Sequence, residues 1–191
     1  MDKPDIYGVL YGPRDAVLEF KGQWSFLSNF YASPIPALPL WRGLPGTTGG
    51  EDAPTVEHAY HAAKAVNQKD RQRVLNATSA GDAKKIGRSI ECRPDWDQDR
   101  LSVMRALLKL KFFRGGMLAK QLLATPLLLV EGNNWRDAYW GCCENAGGLV
   151  GLNHLGWHLM ELRHELGGED SPADMKRGGL IAVPPGWQTR A

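Results

Sequence analysis

The segment Pro54-Thr-Val-Glu-His-Ala-Tyr-His-Ala-Ala-Lys64 concentrates more chemistry than any other stretch of this chain. Glu57 stands in the first turn of an expected helix, where free amides and the macrodipole favour an ionised carboxylate. Tyr60, His61 and Lys64 follow three, four and seven positions on, so one helix flank carries an acid, a phenol, an imidazole and an amine. Such a flank can line a polar pocket, although acidic residues also stand at helix starts for stability alone. Trp96, between Asp95 and Asp97, either buries its ring in a core or offers it to a nucleobase for stacking. Asp137 follows a turn and precedes Tyr139-Trp140, a position open equally to an ordinary turn carboxylate. Asn29, in Ser28-Asn29-Phe30, can close a turn, and Asn153 can cap a helix.

Other chemistries lack their motifs. The five histidines, at 58, 61, 154, 158 and 164, do not combine with cysteines in zinc-site spacing, and no metal or cofactor is expected. No nucleophile elbow, dinucleotide fingerprint or Gly-Lys-Ser/Thr loop is present. Cys92, Cys142 and Cys143 are odd in number and two are adjacent, which fits a reducing compartment, and Cys142 and Cys143 are taken as small spacer residues of a loop. The 23 basic and 21 acidic residues nearly cancel, so no strong field draws the protein to nucleic acid or an anionic membrane. The first residues do not make a secretory signal, and the most apolar piece, Leu127 to Val130, is only strand-sized, so a cytoplasmic protein without a membrane partner is expected.

The elements that must position these groups are mostly helical. Thr55 caps a helix whose apolar stripe is Val56, Ala59, Tyr60, Ala63 and Val66. Further helices are expected over 70–77 and 81–87. Asp95, with Gln98 three residues on, is expected to cap the longest one, which buries Trp96, Val103, Met104, Leu107, Leu108 and Phe112. A short helix over 118–124 stops at Thr125-Pro126, and 127–131 reads as a buried strand. Gly132 to Asn134 is expected as a turn and Asp137 to Trp140 as a partner strand, before a last helix over 153–166. The Pro- and Gly-rich stretch 34–54 reads as a mobile connection or decorated hairpin, and 168–191 as a flexible C-terminal tail behind a single domain, 1–167.

Taken together these blocks resemble the YbiA-like, or NADAR, family. The blocks are Phe26-Leu-Ser-Asn-Phe-Tyr31, the Pro54–Lys64 segment, Ala83-Lys-Lys-Ile-Gly-Arg88, Trp96-Asp97 with Arg100, Leu129-Val-Glu-Gly-Asn133, Asp137-Ala-Tyr-Trp-Gly141 and Asn153 to Arg163. They run in the family's order from about Phe20 to Leu166. The resemblance implies a helix-rich α+β fold and an N-glycosidase that hydrolyses the bond between a phosphorylated ribose and a base. One branch acts on the phosphoribosylamino-pyrimidine intermediates of riboflavin synthesis; another removes ADP-ribose from modified guanine in nucleic acid, and a non-catalytic ADP-ribose-binding module is the remaining alternative.

By the same resemblance Glu57, Trp96 and Asp137 form the active centre, and Asn29, Phe30, Tyr60, Lys64, Arg88, Trp140 and Asn153 bind substrate. The chemistry suits those residue types: breaking a ribose C1–N bond develops positive charge on the sugar, which a carboxylate at Glu57 stabilises. Asp137 or a tyrosine would protonate the departing base, Trp96 and Trp140 would stack on it, and Lys64 and Arg88 would receive phosphate. Two departures from the family pattern stand out, a longer connection from Pro36 to Ala53 and Cys142-Cys143-Glu144-Asn145 where the family has a glycine-rich acidic turn.

Overall fold

The structure, a computed structural model, describes residues 6–7, 16–36, 52–145, 148–168 and 180–182. The described residues carry seven helices and two small sheets, an α+β architecture. The chain divides into two compact units, 29–113 and a second made of 1–28 with 114–191.

The unit 29–113 is helical. Its α1, Val56–Ala63, starts where Thr55 accepts a hydrogen bond from the His58 amide at 3.3 Å, as its position before the apolar stripe predicts. Every residue of α1 is buried, because α2 (Gln68–Leu75), α3 (Ala80–Ser89) and α4 (Trp96–Lys111) all pack against it. Asn67 and Ser79 cap α2 and α3 through the amides of Asp70 and Asp82. At 16 residues α4 is the longest helix, and it buries the expected stripe from Trp96 to Leu108 with Phe112 behind it. Its expected side-chain cap does not form: the Asp95 carboxylate turns to Arg93 at 2.8 Å, and Arg93 also holds Asp99 at 2.6 Å, so an ion pair outcompetes the cap. The ends of the 34–54 connection meet as an antiparallel bridge between Ile35 and Ala53; residues 37–51 lie outside the described residues.

The other unit holds the 3-10 helix Gly22–Leu27, α5 (Met117–Leu123), α6 (His154–Glu165) and the seven strands found among the described residues. Strand β2 (Ala16–Val17) pairs in parallel with β3 (Leu128–Leu129). The larger sheet runs in the order β1-β7-β6-β5-β4, from Ile6–Tyr7, Leu180–Ala182, Gly148–Val150, Cys142–Asn145 and Gly132–Asn133. Thus the stretch expected as a tail carries a strand between β1 and β6, and its other residues beyond 168 lie outside the described residues. Helix α6 packs against β3 and α5, and its buried Arg163 donates to Thr125 Oγ1, the Pro126 carbonyl and the Leu127 carbonyl.

Two local expectations are overturned here. Gly132–Asn133 is strand β4 rather than a turn, and 137–140 is a turn rather than a strand. The reason is the Asp137 side chain, whose Oδ1 accepts the amides of Tyr139 at 3.2 Å and Trp140 at 2.9 Å, leaving those amides no partner strand to seek. Among the described residues no helix is long and apolar enough to cross a membrane.

Candidate active site

Within the helical unit the structure gathers most of the residues singled out above. Glu57 is only 6% exposed, and its own amide donates to the Asn29 carbonyl at 3.1 Å, which ties the Ser28-Asn29-Phe30 segment to the first turn of α1. Its carboxylate is held through one oxygen. His61, one turn on, donates from Nε2 to Glu57 Oε1 at 3.0 Å, and the ammonium of Lys84 on α3 stands 3.9 Å from the same oxygen. Lys84 also lies 5.6 Å from the centre of the Phe30 ring, whose face is half open to solvent.

Aromatic and basic groups complete the surroundings. The Tyr60 and Trp96 rings meet with centroids 4.9 Å apart, and the Arg93 guanidinium sits 5.6 Å from the Trp96 ring, which is buried as the core reading expects. Burial pushes the Lys64 ammonium below the usual lysine range; Cys92 and Glu57 oppose that effect and Arg88 adds to it. Burial likewise lowers His61 below the ordinary 6.5, more than the hydrogen bond and charge of Glu57 raise it. Arg88 is exposed at the end of α3. The Asn29 amide nitrogen approaches Met104 Sδ at 3.5 Å, while its Oδ1 is buried without a hydrogen-bond partner among the described residues.

Asp137, Trp140 and Asn153 belong to the other unit. Asp137 heads the turn described above, and Asn133 pins it by accepting its amide at 3.0 Å and donating to its carbonyl at 2.9 Å. Trp140 and Tyr139 meet edge to face at 5.1 Å, with the His154 ring 4.5 Å from Tyr139. Asn153 is no side-chain cap: it adopts a left-handed φ of 49°, and its amide bonds the Leu129 carbonyl at 2.9 Å and the Glu131 amide at 3.1 Å. Both ends of that side chain are therefore spent on backbone. Cys142 and Cys143 stand in strand β5 rather than in the loop expected for them, because they pair with β4 and β6; burial pushes the Cys142 thiol up to about 12 and raises Cys143 as well.

Sequence reasoning did not single out Lys84 or pair His61 with Glu57. The i,i+4 spacing held the second signal, whereas the first depends on how α3 lies against α1. A cavity of about 530 Å³ is lined by Arg73, Asn76, Thr78, Asp82, Lys85 and Ser89 among others. None of the groups around Glu57 lines it, and its acid, Asp82, already accepts from Ser79 and Thr78. Among the described residues no cluster of three or more His, Cys, Asp or Glu is placed to hold a metal.

The NADAR domain family model matches residues 19–167. The chain is 35% identical over 159 residues to the N-glycosidase YbiA of Escherichia coli (strain K12), which covers 80% of this chain and 90% of that protein. It is also 35% identical over 143 residues to a riboflavin biosynthesis protein of Vibrio vulnificus, covering 74% of this chain and 35% of that one. Among solved structures, the NMR structure of Escherichia coli YbiA matches with a TM-score of 0.61 and 30% identity, over 83% of this chain and 89% of that one.

Proposed function

The chain belongs to the NADAR domain family, and from that premise we propose that it is an N-glycosidase hydrolysing the C1–N bond between a phosphorylated ribose and a base, with small riboflavin-pathway intermediates of the 5-amino-6-(5-phosphoribosylamino)uracil type as substrates. The names of its relatives support this choice of substrate, since they include N-glycosidases and riboflavin biosynthesis proteins. The observation that carries the catalytic reading is the buried carboxylate of Glu57, fixed at Oε1 and set among cations and aromatic rings.

Bond breaking leaves positive charge shared between C1 and the ring oxygen of the ribose. A preorganised carboxylate opposite C1 lowers that barrier and directs the water that adds to C1. Glu57 takes this role. Trp96 and Tyr60 wall the site, Phe30 offers an exposed ring, and the unpartnered Oδ1 of Asn29 is an acceptor for a sugar hydroxyl. Lys64 and Arg88 receive the 5-phosphate, a dianion that would favour the charged form of a lysine held low by burial. Asp137 is assigned to the departing base; with Oδ1 committed to the turn, Oδ2 is the oxygen left for proton transfer. Trp140 is assigned to stacking on that base. The domain is placed at 1–167 and the protein in the cytoplasm, where its free thiols stay reduced.

The test is mass spectrometry of the products formed from a panel of phosphoribosylamino-pyrimidines and an ADP-ribosylated guanine oligonucleotide. Free base with ribose 5-phosphate from the first group is the expected result. Release of ADP-ribose from the oligonucleotide alone would move the protein to the nucleic-acid branch, and tight binding without release from either would remove the enzymatic reading.

A further inference from the structure

The pairing of Glu57 with His61 has a directional character that the proposed reaction does not by itself require. Both polar neighbours of the carboxylate, His61 Nε2 and Lys84 Nζ, fall on Oε1. Among the described residues Oε2 has no hydrogen-bond partner. On the far side of the imidazole, Nδ1 is buried without a partner and lies against Gly87 of α3, so closely that a Cβ added there would fall 2.3 Å from it. A proton on Nδ1 would be a buried donor with nothing to receive it, whereas a proton on Nε2 has a carboxylate at 3.0 Å. The charged groups that face this ring are Glu57, Lys64 and Lys84, and the two lysines both oppose a positive imidazole.

We propose that His61 is a positioning residue: a neutral imidazole held in the Nε2–H tautomer by its bond to Glu57, with Nδ1 packed against Gly87 and given no acceptor, so that it grips Glu57 Oε1 and thereby presents Oε2 alone to the anomeric carbon or its attacking water. The kinetic half of this inference rests on Glu57 being the catalytic carboxylate, while the tautomer half does not. Free rotation of the carboxylate would let either oxygen wander from C1. One fixed hydrogen bond at Oε1, reinforced by the Lys84 charge, sets the carboxylate plane before substrate arrives. A Lys–carboxylate contact alone is a point-charge attraction and fixes no plane. The imidazole N–H supplies the direction.

Long-range proton–nitrogen NMR of the histidine rings in the wild type at neutral pH, with His61 assigned from the spectrum of His61→Gln, reads the tautomer directly. A neutral Nε2–H ring that becomes a mixture of tautomers in Glu57→Ala is the expected result. A charged ring, an Nδ1–H ring, or a pattern untouched by Glu57→Ala overturns the proposal. In parallel, His61→Ala should lower kcat by roughly 10- to 100-fold with KM changed less than about threefold, the size of loss that misplacing a reacting group brings. His61→Gln, whose amide nitrogen stands near the place of Nε2, should recover most of it. Wild-type activity in His61→Ala, or a loss confined to KM, contradicts the positioning role; a wild type that turns over nothing instead defeats the proposed reaction and leaves the NMR result to decide on the tautomer.

Discussion

Glu57 and His61 stand one helical turn apart, and the burial that lowers His61 gives folding a pH signature. A histidine whose folded value lies below 6.5 takes up its proton first in the unfolded chain, so its contribution is complete above pH 6.5 and is lost as pH falls beneath that value. Thermal melts from pH 7.5 down to 5.5 should therefore show a falling Tm, and the fall should be smaller in His61→Gln. Equal slopes in the two proteins would mean that His61 is not held neutral. Much of this flank could be read from the sequence, because 3.6-residue periodicity alone puts Glu57, Tyr60, His61 and Lys64 side by side. Lys84 could not, since its place beside Glu57 is set by helix packing. Asn153 shows the opposite limit: it stands at the helix start as expected, yet its amide serves the backbone of β3 and its neighbour.

Helix α1 can bring its polar flank this close to α3 only because residue 87 has no side chain. Gly87→Ala places a methyl against His61 Cβ, Cγ and Nδ1, each 2.6 Å or nearer. Overpacking of this kind costs about 1–3 kcal/mol, so Gly87→Ala should lower the urea midpoint with an unchanged m-value and also reduce turnover by disturbing the Glu57 partner. A variant as stable as the wild type would show that the two helices separate freely. Helix starts were legible where a small polar residue precedes an apolar stripe, as at Thr55, because capping is a local interaction. At Asp95 the same signal failed, since Arg93 offered the carboxylate a stronger partner. The segment 137–140 failed for a related reason: its aromatic pair has strand propensity, but one carboxylate two residues upstream captures the amides a strand would need.

At the scale of the whole chain, the helix-rich α+β class followed from long periodic segments and from the family resemblance, and a TM-score of 0.61 to a solved structure of the family agrees with it. The sheet was far less legible. Its strands are two to four residues long and join Ile6–Tyr7 with Leu180–Ala182, so the pairing is written in no local pattern. Composition reads 168–191 as a tail and gives no sign of the strand Leu180–Ala182, since three residues are too few to stand out among Gly and Pro. Because β7 lies between β1 and β6, ending the chain at 168 should leave two strand edges unpaired and lower Tm by several degrees, about the shift expected from losing 1 kcal/mol in a protein of this size. An unchanged Tm would show that a domain ending at 167 does not need β7.

If the buried Glu57 carboxylate stabilises the sugar cation, single-turnover and steady-state rates of Glu57→Gln on the substrate that the wild type cleaves fastest will register the loss of its charge. Gln keeps the volume and an acceptor for His61 but removes the charge. The expected result is a fall in kcat of at least about 100-fold, the order seen when a transition-state charge partner is lost, with the fold intact by thermal melting. A rate within a few-fold of the wild type in a folded Glu57→Gln protein would contradict it and move the chemistry to another residue.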